Sequence, residues 1–148
     1  MLETAVPSYF LRTKLHRPLL PSDYIPRPRL LEQLERIVQR QVAILVAPAG
    51  YGKSTLASAW VEQSHCPGAW LSLDEGDNEL FVFIGYFVAA IESVFPNFGE
   101  RISVLARNPT RPSLPTVSNY LLYEIDQIEQ DFVLVLDDFQ AITNSDVH

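Results

Sequence analysis

Between Ala47 and Thr55 the chain reads Ala-Pro-Ala-Gly-Tyr-Gly-Lys-Ser-Thr. Two glycines bracket one residue, and an ammonium and two hydroxyls follow at once. Gly50 and Gly52 let the backbone turn so that successive N–H groups, from Ala49 through Thr55, converge on one anion. A helix starting near Lys53 adds its own N-terminal N–H groups and dipole. Lys53 supplies a point charge for the β- and γ-phosphates of a nucleotide, and the Ser54 hydroxyl is a ligand for Mg²⁺. These residues form a phosphate-binding loop of the Walker A type. The pattern opens on Gly where this chain has Ala47, a residue that serves there at negative φ. With no ligand bound, Lys53 is expected to point to solvent.

The second half of such a site lies far along the chain. Phe132-Val133-Leu134-Val135-Leu136-Asp137-Asp138 is an apolar run ending in two carboxylates. It describes a buried parallel strand that delivers acid to the carboxyl edge of a sheet. Mg²⁺ takes oxygen ligands and keeps several waters. Ser54, nucleotide phosphates and Asp137, through water, would complete its shell. Asp138 is either the acid that polarises an attacking water or a cap for the turn after the strand.

The elements that must position these groups are legible in outline. Val42-Ala43-Ile44-Leu45-Val46 reads as the first strand, feeding the loop. Lys53 to Gln63 reads as a helix stopped by Pro67-Gly68, and Ala69 to Leu73 as a second strand. Asp74-Glu75-Gly76-Asp77-Asn78 misses the spacing of a calcium loop. It reads as a turn in which Asp77 or Asn78 caps a helix from about Glu79 to Phe95. That helix is apolar nearly all round, so it is buried on several sides. Arg107 to Pro115 reads as a loop, and Thr116 to Gln130 as a helix. Another helix begins at Pro28, with Leu30, Leu31, Leu34, Ile37 and Val38 at helical spacing. Before it, Pro7, Pro18, Pro21, Pro26 and Pro28 make residues 1–28 an extended arm. Strands alternating with helices predict an α/β fold with a parallel sheet flanked by helices, with the ligand beyond the carboxyl ends of the strands.

Composition narrows the functional classes. The 148 residues carry a formal charge of −7. The first forty residues are net positive and the remainder strongly negative, which argues against nonspecific nucleic-acid binding by the body. The basic arm (Arg12, Lys14, Arg17, Arg27, Arg29) reads as a solvated segment or as a contact to nucleotide or another domain. One cysteine, Cys66, excludes an internal disulfide framework and suits a reducing, cytoplasmic setting. His65 beside it lacks further partners at metal-ligand spacing. The most apolar stretch, Leu80 to Ile91, is about a dozen residues, too few to span a bilayer. No membrane partner is expected.

Four segments resemble one family in its own order. They are Thr13-Lys14-Leu15 with Ile25-Pro26-Arg27-Pro28-Arg29-Leu30-Leu31, the loop at 47–55, Trp70-Leu71-Ser72-Leu73-Asp74-Glu75-Gly76-Asp77-Asn78, and Leu134-Val135-Leu136-Asp137-Asp138. Together they are similar to the MalT-like, LuxR-type ATP-binding transcriptional regulators of the STAND class of NTPases. Ser54 stands where Thr is usual, and Phe139-Gln140 where Tyr-His is commoner. The resemblance implies an ATP/ADP and Mg²⁺ switch with slow hydrolysis in the full-length protein, and this fragment is expected to be nearly inactive. Lys53 and Asp138 would be catalytic, Ser54 and Asp137 would hold the metal, and Arg27 would lie near the adenine. It also implies that residues 29–148 are the N-terminal part of a P-loop NTPase domain, truncated after the Walker B strand. DNA contact would then belong to a C-terminal domain outside this chain, and open sheet edges favour self-association. Two other classes compete: a P-loop phosphotransferase or kinase, and a non-hydrolysing interaction module.

Overall fold

The computed structural model describes residues 11–37, 42–106 and 112–148. Its sheet has two strands, β1 (Gly68–Ser72) and β2 (Val133–Asp137). They pair in parallel, from Gly68 opposite Val133 to Ser72 opposite Asp137. Parallel neighbours require a long crossover. Among the described residues it contains the helices α3 (Leu80–Glu92), α4 (Glu100–Ala106) and α5 (Leu114–Asp126). Two more, α1 (Pro28–Ile37) and α2 (Lys53–Gln63), precede β1. The architecture is α/β, and the starts of α1 and α2 are those expected from Pro28 and Lys53. Among the described residues no helix is long and apolar enough to cross a membrane.

Alternation along the strands divides the molecule into layers. Ala69 and Leu71 of β1, beside Leu134 and Leu136 of β2, face Tyr86 and Ala90 of α3 and meet Ile142. On the opposite face Gly68 approaches α2 so closely that a Cβ there would collide with Val61. The same sheet therefore fixes both α3 and the helix that leaves the glycine-rich loop. A second core joins α3 to the rest of the crossover through Ile84, Val88, Ile91, Phe98, Ile102 and Val117. As its composition requires, α3 is buried on several sides.

Helix α4 has no counterpart in the sequence reading. Gly99, at φ +80°, precedes it, and a Cβ there would strike Val88. The N–H groups of Gly99 and Arg101 are both taken by the carboxylate of Glu124 on α5. A cap from a distant helix leaves no local signal. Helix α5 starts earlier than expected, because the Ser113 hydroxyl accepts the Thr116 N–H. Residues 107–111 of the expected loop lie outside the described residues, as do Val38 and positions 1–10 of the arm.

The expected first strand is corrected. Residues 42–46 form no ladder with β2 or β1. Val42, Ile44 and Val46 are 75%, 80% and 88% exposed. Strand propensity does not suffice without a partner edge, and the end of this run is held elsewhere: the Lys53 ammonium binds the carbonyls of Ala47 and Pro48. One edge of β2 is therefore left unpaired by this run, and all five β2 residues are only half-buried rather than buried.

The arm is not a solvated segment where Lys14 and Arg17 are concerned. Residues Arg12–Leu15 form a short 3₁₀ helix that lies against β1 and α3. The Lys14 ammonium lies 2.8 and 2.7 Å from the two oxygens of Asp77, 2.8 Å from Asp74 and 4.8 Å from the centre of the Tyr86 ring. Asp77 is 1% exposed. Burial alone would lower the Lys14 pKa, but hydrogen bonds and charge from Asp74 and Asp77 outweigh it and hold it above its ordinary value. The Lys14 hydrogen bond and the Gly76 N–H lower Asp74. Arg17 meanwhile donates to the Ser58 carbonyl and hydroxyl on α2.

This also corrects the capping of α3. Asp74 and Asp77 form a reciprocal capping box on a 3₁₀ turn, Glu75–Asn78. The N-terminus of α3 is capped by Glu79, which accepts from the Val82 N–H. Asn78 instead ties the segment after β2: its Oδ1 accepts from the N–H groups of Thr143 and Asn144.

Lys14→Met would leave Asp77 buried without its cation, and should cost about 3–5 kcal/mol. Urea denaturation of both proteins measures it. Asp74 contributes above its ordinary 3.8 and loses that contribution as pH falls through its lowered pKa. Lys14 contributes below its ordinary 10.5 and loses it as pH rises through its raised pKa. The difference between the two proteins should therefore be widest between those limits and shrink outside them.

Candidate functional site

The site is built where α2 begins. Gly52 is the residue before the helix, at φ +78° and ψ 31°, a left-handed conformation that costs a side-chain-bearing residue energy. Gly50 has φ +80°. Ala47 is not among the described non-glycine residues with positive φ, so alanine fits the start of this turn. The first helical bond runs from the Leu56 N–H to the Gly52 carbonyl. The N–H groups of Lys53, Ser54 and Thr55 thus precede the intrahelical ladder, and no side chain caps them. That leaves a helix N-terminus of the kind that takes an anion.

The helix also carries Ser54 to the end of β2. Its hydroxyl donates to Asp137 Oδ1 at 2.9 Å, across 83 positions of sequence. The same carboxylate oxygen accepts from the Asp138 N–H at 3.1 Å. Asp137 is therefore held from two sides, half-buried, at the carboxyl end of its strand.

The remaining expected residues are arranged around this pair. Lys53 does not point to solvent. It lies 2.8 Å from the Ala47 carbonyl and 3.1 Å from that of Pro48, closing the loop on itself. Arg27 reaches the loop from the arm and donates to the Tyr51 carbonyl at 3.1 Å. Its guanidinium also stands over Gly52, where a Cβ would lie 3.7 Å from Nη2. Ala49 and Gly50 form the exposed tip of the turn, the Tyr51 side chain is exposed, and Thr55 is half-buried in the first turn of α2. Asp138 adopts φ +57° and its carboxylate does not cap the 3₁₀ turn Phe139–Ala141 that follows. It is exposed and accepts from Gln140 Nε2 at 2.8 Å.

The donor chemistry can be compared with what a nucleotide and Mg²⁺ need. A serine hydroxyl and a carboxylate are hard oxygen donors, already adjacent. Among the described residues no group of three or more His, Cys, Asp or Glu could cage a metal. The loop N–H groups, the helix terminus and Lys53 match the phosphates. Among the described residues His65 and Cys66 belong to no such group.

The sequence reading missed one contact within the site, the pairing of Lys53 with its own loop carbonyls. It also missed the Lys14 staple behind the site. Charge complementarity between a basic arm and the acidic run at 74–79 was the signal for the latter. No family model matches this chain.

Gly52→Ala should destabilise the protein by about 1–2 kcal/mol, because the position requires left-handed backbone. Gly50→Ala is the comparison: it has φ +80° with open space around its Cβ, so it should cost a similar amount. Thermal or urea unfolding gives both values.

Proposed function

We propose that this chain is the nucleotide- and Mg²⁺-binding part of a P-loop NTPase switch, of the kind found in MalT-like transcriptional regulators. The observation that carries the reading is the 2.9 Å contact between Ser54 and Asp137. Two motifs far apart in sequence, each expected to supply an oxygen to one ion, bring a hydroxyl and a carboxylate into contact.

The roles follow from position. The N–H groups at the start of α2 and around Gly50 and Gly52 hold the phosphates. Lys53 exchanges its two loop carbonyls for phosphate oxygens. Ser54 and Asp137 orient the cation, Asp137 directly or through water. Mg²⁺ held there would supply positive charge to the nucleotide phosphates. Arg27, beside Gly52, holds the arm against the nucleotide end of the loop. Asp138 is free of helix capping, so its carboxylate is available to accept a proton from an attacking water. Such sites accelerate phosphoryl transfer mainly by positioning and by cations. With Lys53 as its principal cation, this site is suited to holding nucleotide for long periods and hydrolysing it slowly.

Lys53→Ala should weaken ATP binding at least about tenfold, or 1.4 kcal/mol, while the protein stays folded. Titration calorimetry with circular dichroism measures both. In the full-length protein, Asp138→Asn should leave ATP affinity within about twofold and slow phosphate release about 10²-fold or more, the scale of a lost general base. An Asp138→Asn protein that no longer binds ATP would reassign that carboxylate to binding.

A further inference from the structure

Asp138 is held in a backbone conformation that disfavours any residue with a side chain. Its φ of 57° and ψ of 35° lie in the left-handed region. Such a conformation persists where the surrounding structure over-determines it. On one side the Asp138 N–H donates to Asp137 Oδ1 at 3.1 Å. On the other its carbonyl accepts the Ala141 N–H at 2.9 Å. Gln140 Nε2 donates to its carboxylate at 2.8 Å. These partners are near neighbours in sequence, so they shape the turn without fixing it to the rest of the molecule.

Asn78 makes that connection. Its Nδ2 donates to the Ala141 carbonyl at 2.9 Å, across 63 positions of sequence, and to the Glu75 carbonyl at 3.1 Å. Its Oδ1 accepts from the N–H groups of Thr143 at 2.7 Å and Asn144 at 3.0 Å. The Asn144 amide returns a bond to the Asn78 carbonyl at 2.7 Å. Both donors and both lone pairs of one half-buried side-chain amide are thus used. The turn that carries Asn78 is anchored in its own right, through the buried Asp77 and Lys14. Ala141 is gripped by both backbone groups, its N–H by Asp138 and its carbonyl by Asn78. Ile142, next along, is buried in the core. The amide is the polar half of this anchor and Ile142 the apolar half.

We infer that Asn78 is a positioning residue for Asp138. Through Ala141 it holds the left-handed turn that aims the Asp138 carboxylate at the attacking water. This rests on the role proposed above for Asp138. It gives Asn78 no contact with nucleotide or cation, so its loss should fall on turnover rather than on binding.

Single-turnover phosphate release by the full-length protein, with ATP affinity measured alongside, tests this. Asn78→Asp is nearly isosteric: it keeps the acceptor for Thr143 and Asn144 and loses the donor to Ala141. Asn78→Ala loses both. Each should slow phosphate release about tenfold or more, with ATP affinity within about twofold of wild type. In an Asp138→Asn background either substitution should slow release by less than about twofold further, because residues that act as a unit are not additive. The Ala141 amide should exchange about tenfold faster in both variants, without nucleotide. Wild-type phosphate release by Asn78→Asp overturns the inference. So does equal slowing in both backgrounds, which would make Asn78 a support for the fold at large, and so does ATP affinity that falls along with turnover. All three outcomes leave the role of Asp138 intact. Wild-type release by Asp138→Asn itself would remove that role, and this inference with it.

Discussion

One hydrogen bond organises this molecule, that between the Ser54 hydroxyl and Asp137. It sets two demands. The helix carrying Ser54 must start at the carboxyl end of β2, and the strand carrying Asp137 must stop there. Both demands are met through β1. β1 pairs with β2 in strict parallel register, and Gly68 lets α2 lie directly on the sheet. A bulkier residue at position 68 would push α2 outward and separate the hydroxyl from the carboxylate. The site depends on a glycine that takes no part in its chemistry.

Around that centre the chain is stapled by polar contacts at the turns rather than by a large sheet. Lys14 holds the arm to the buried Asp77, Arg17 holds it to α2, and Asn78 holds the segment after β2. A buried ion pair is a poor source of net stability, because desolvation offsets much of the attraction. Its stronger effect is on uniqueness: an arm displaced from Asp77 would leave a buried charge alone. The arm that carries Arg27 to the loop is thus fixed in place by Lys14 and Arg17 upstream of it. The turn at 74–78 links the arm, the sheet and the residues that follow Asp137.

Local chemistry was legible where it was local. Pro28 and Lys53 mark helix starts, the glycines mark left-handed turns, and the apolar run at 133–136 marks a strand ending in acid. The apolar density of α3 announced its burial. The failures share a cause. Residues 42–46 have strand composition, but no strand edge pairs with them among the described residues. The caps of α4 come from Glu124, a helix away. The Asp77 carboxylate looks like a helix cap in sequence, and becomes the anchor of a distant lysine. In each case the deciding partner lies outside the window that composition and periodicity can read.

The central claim is that Ser54 and Asp137 act as one cation site beneath a nucleotide. A double-mutant cycle with Ser54→Ala and Asp137→Ala, read as ATP affinity by calorimetry, tests it directly. With Mg²⁺ present, the two losses should be non-additive, with a coupling energy in the range of about 0.5–3 kcal/mol found for residues sharing one interaction. With the metal chelated, the coupling should vanish. Losses that add independently in Mg²⁺, or ATP binding indifferent to both substitutions, would contradict the account.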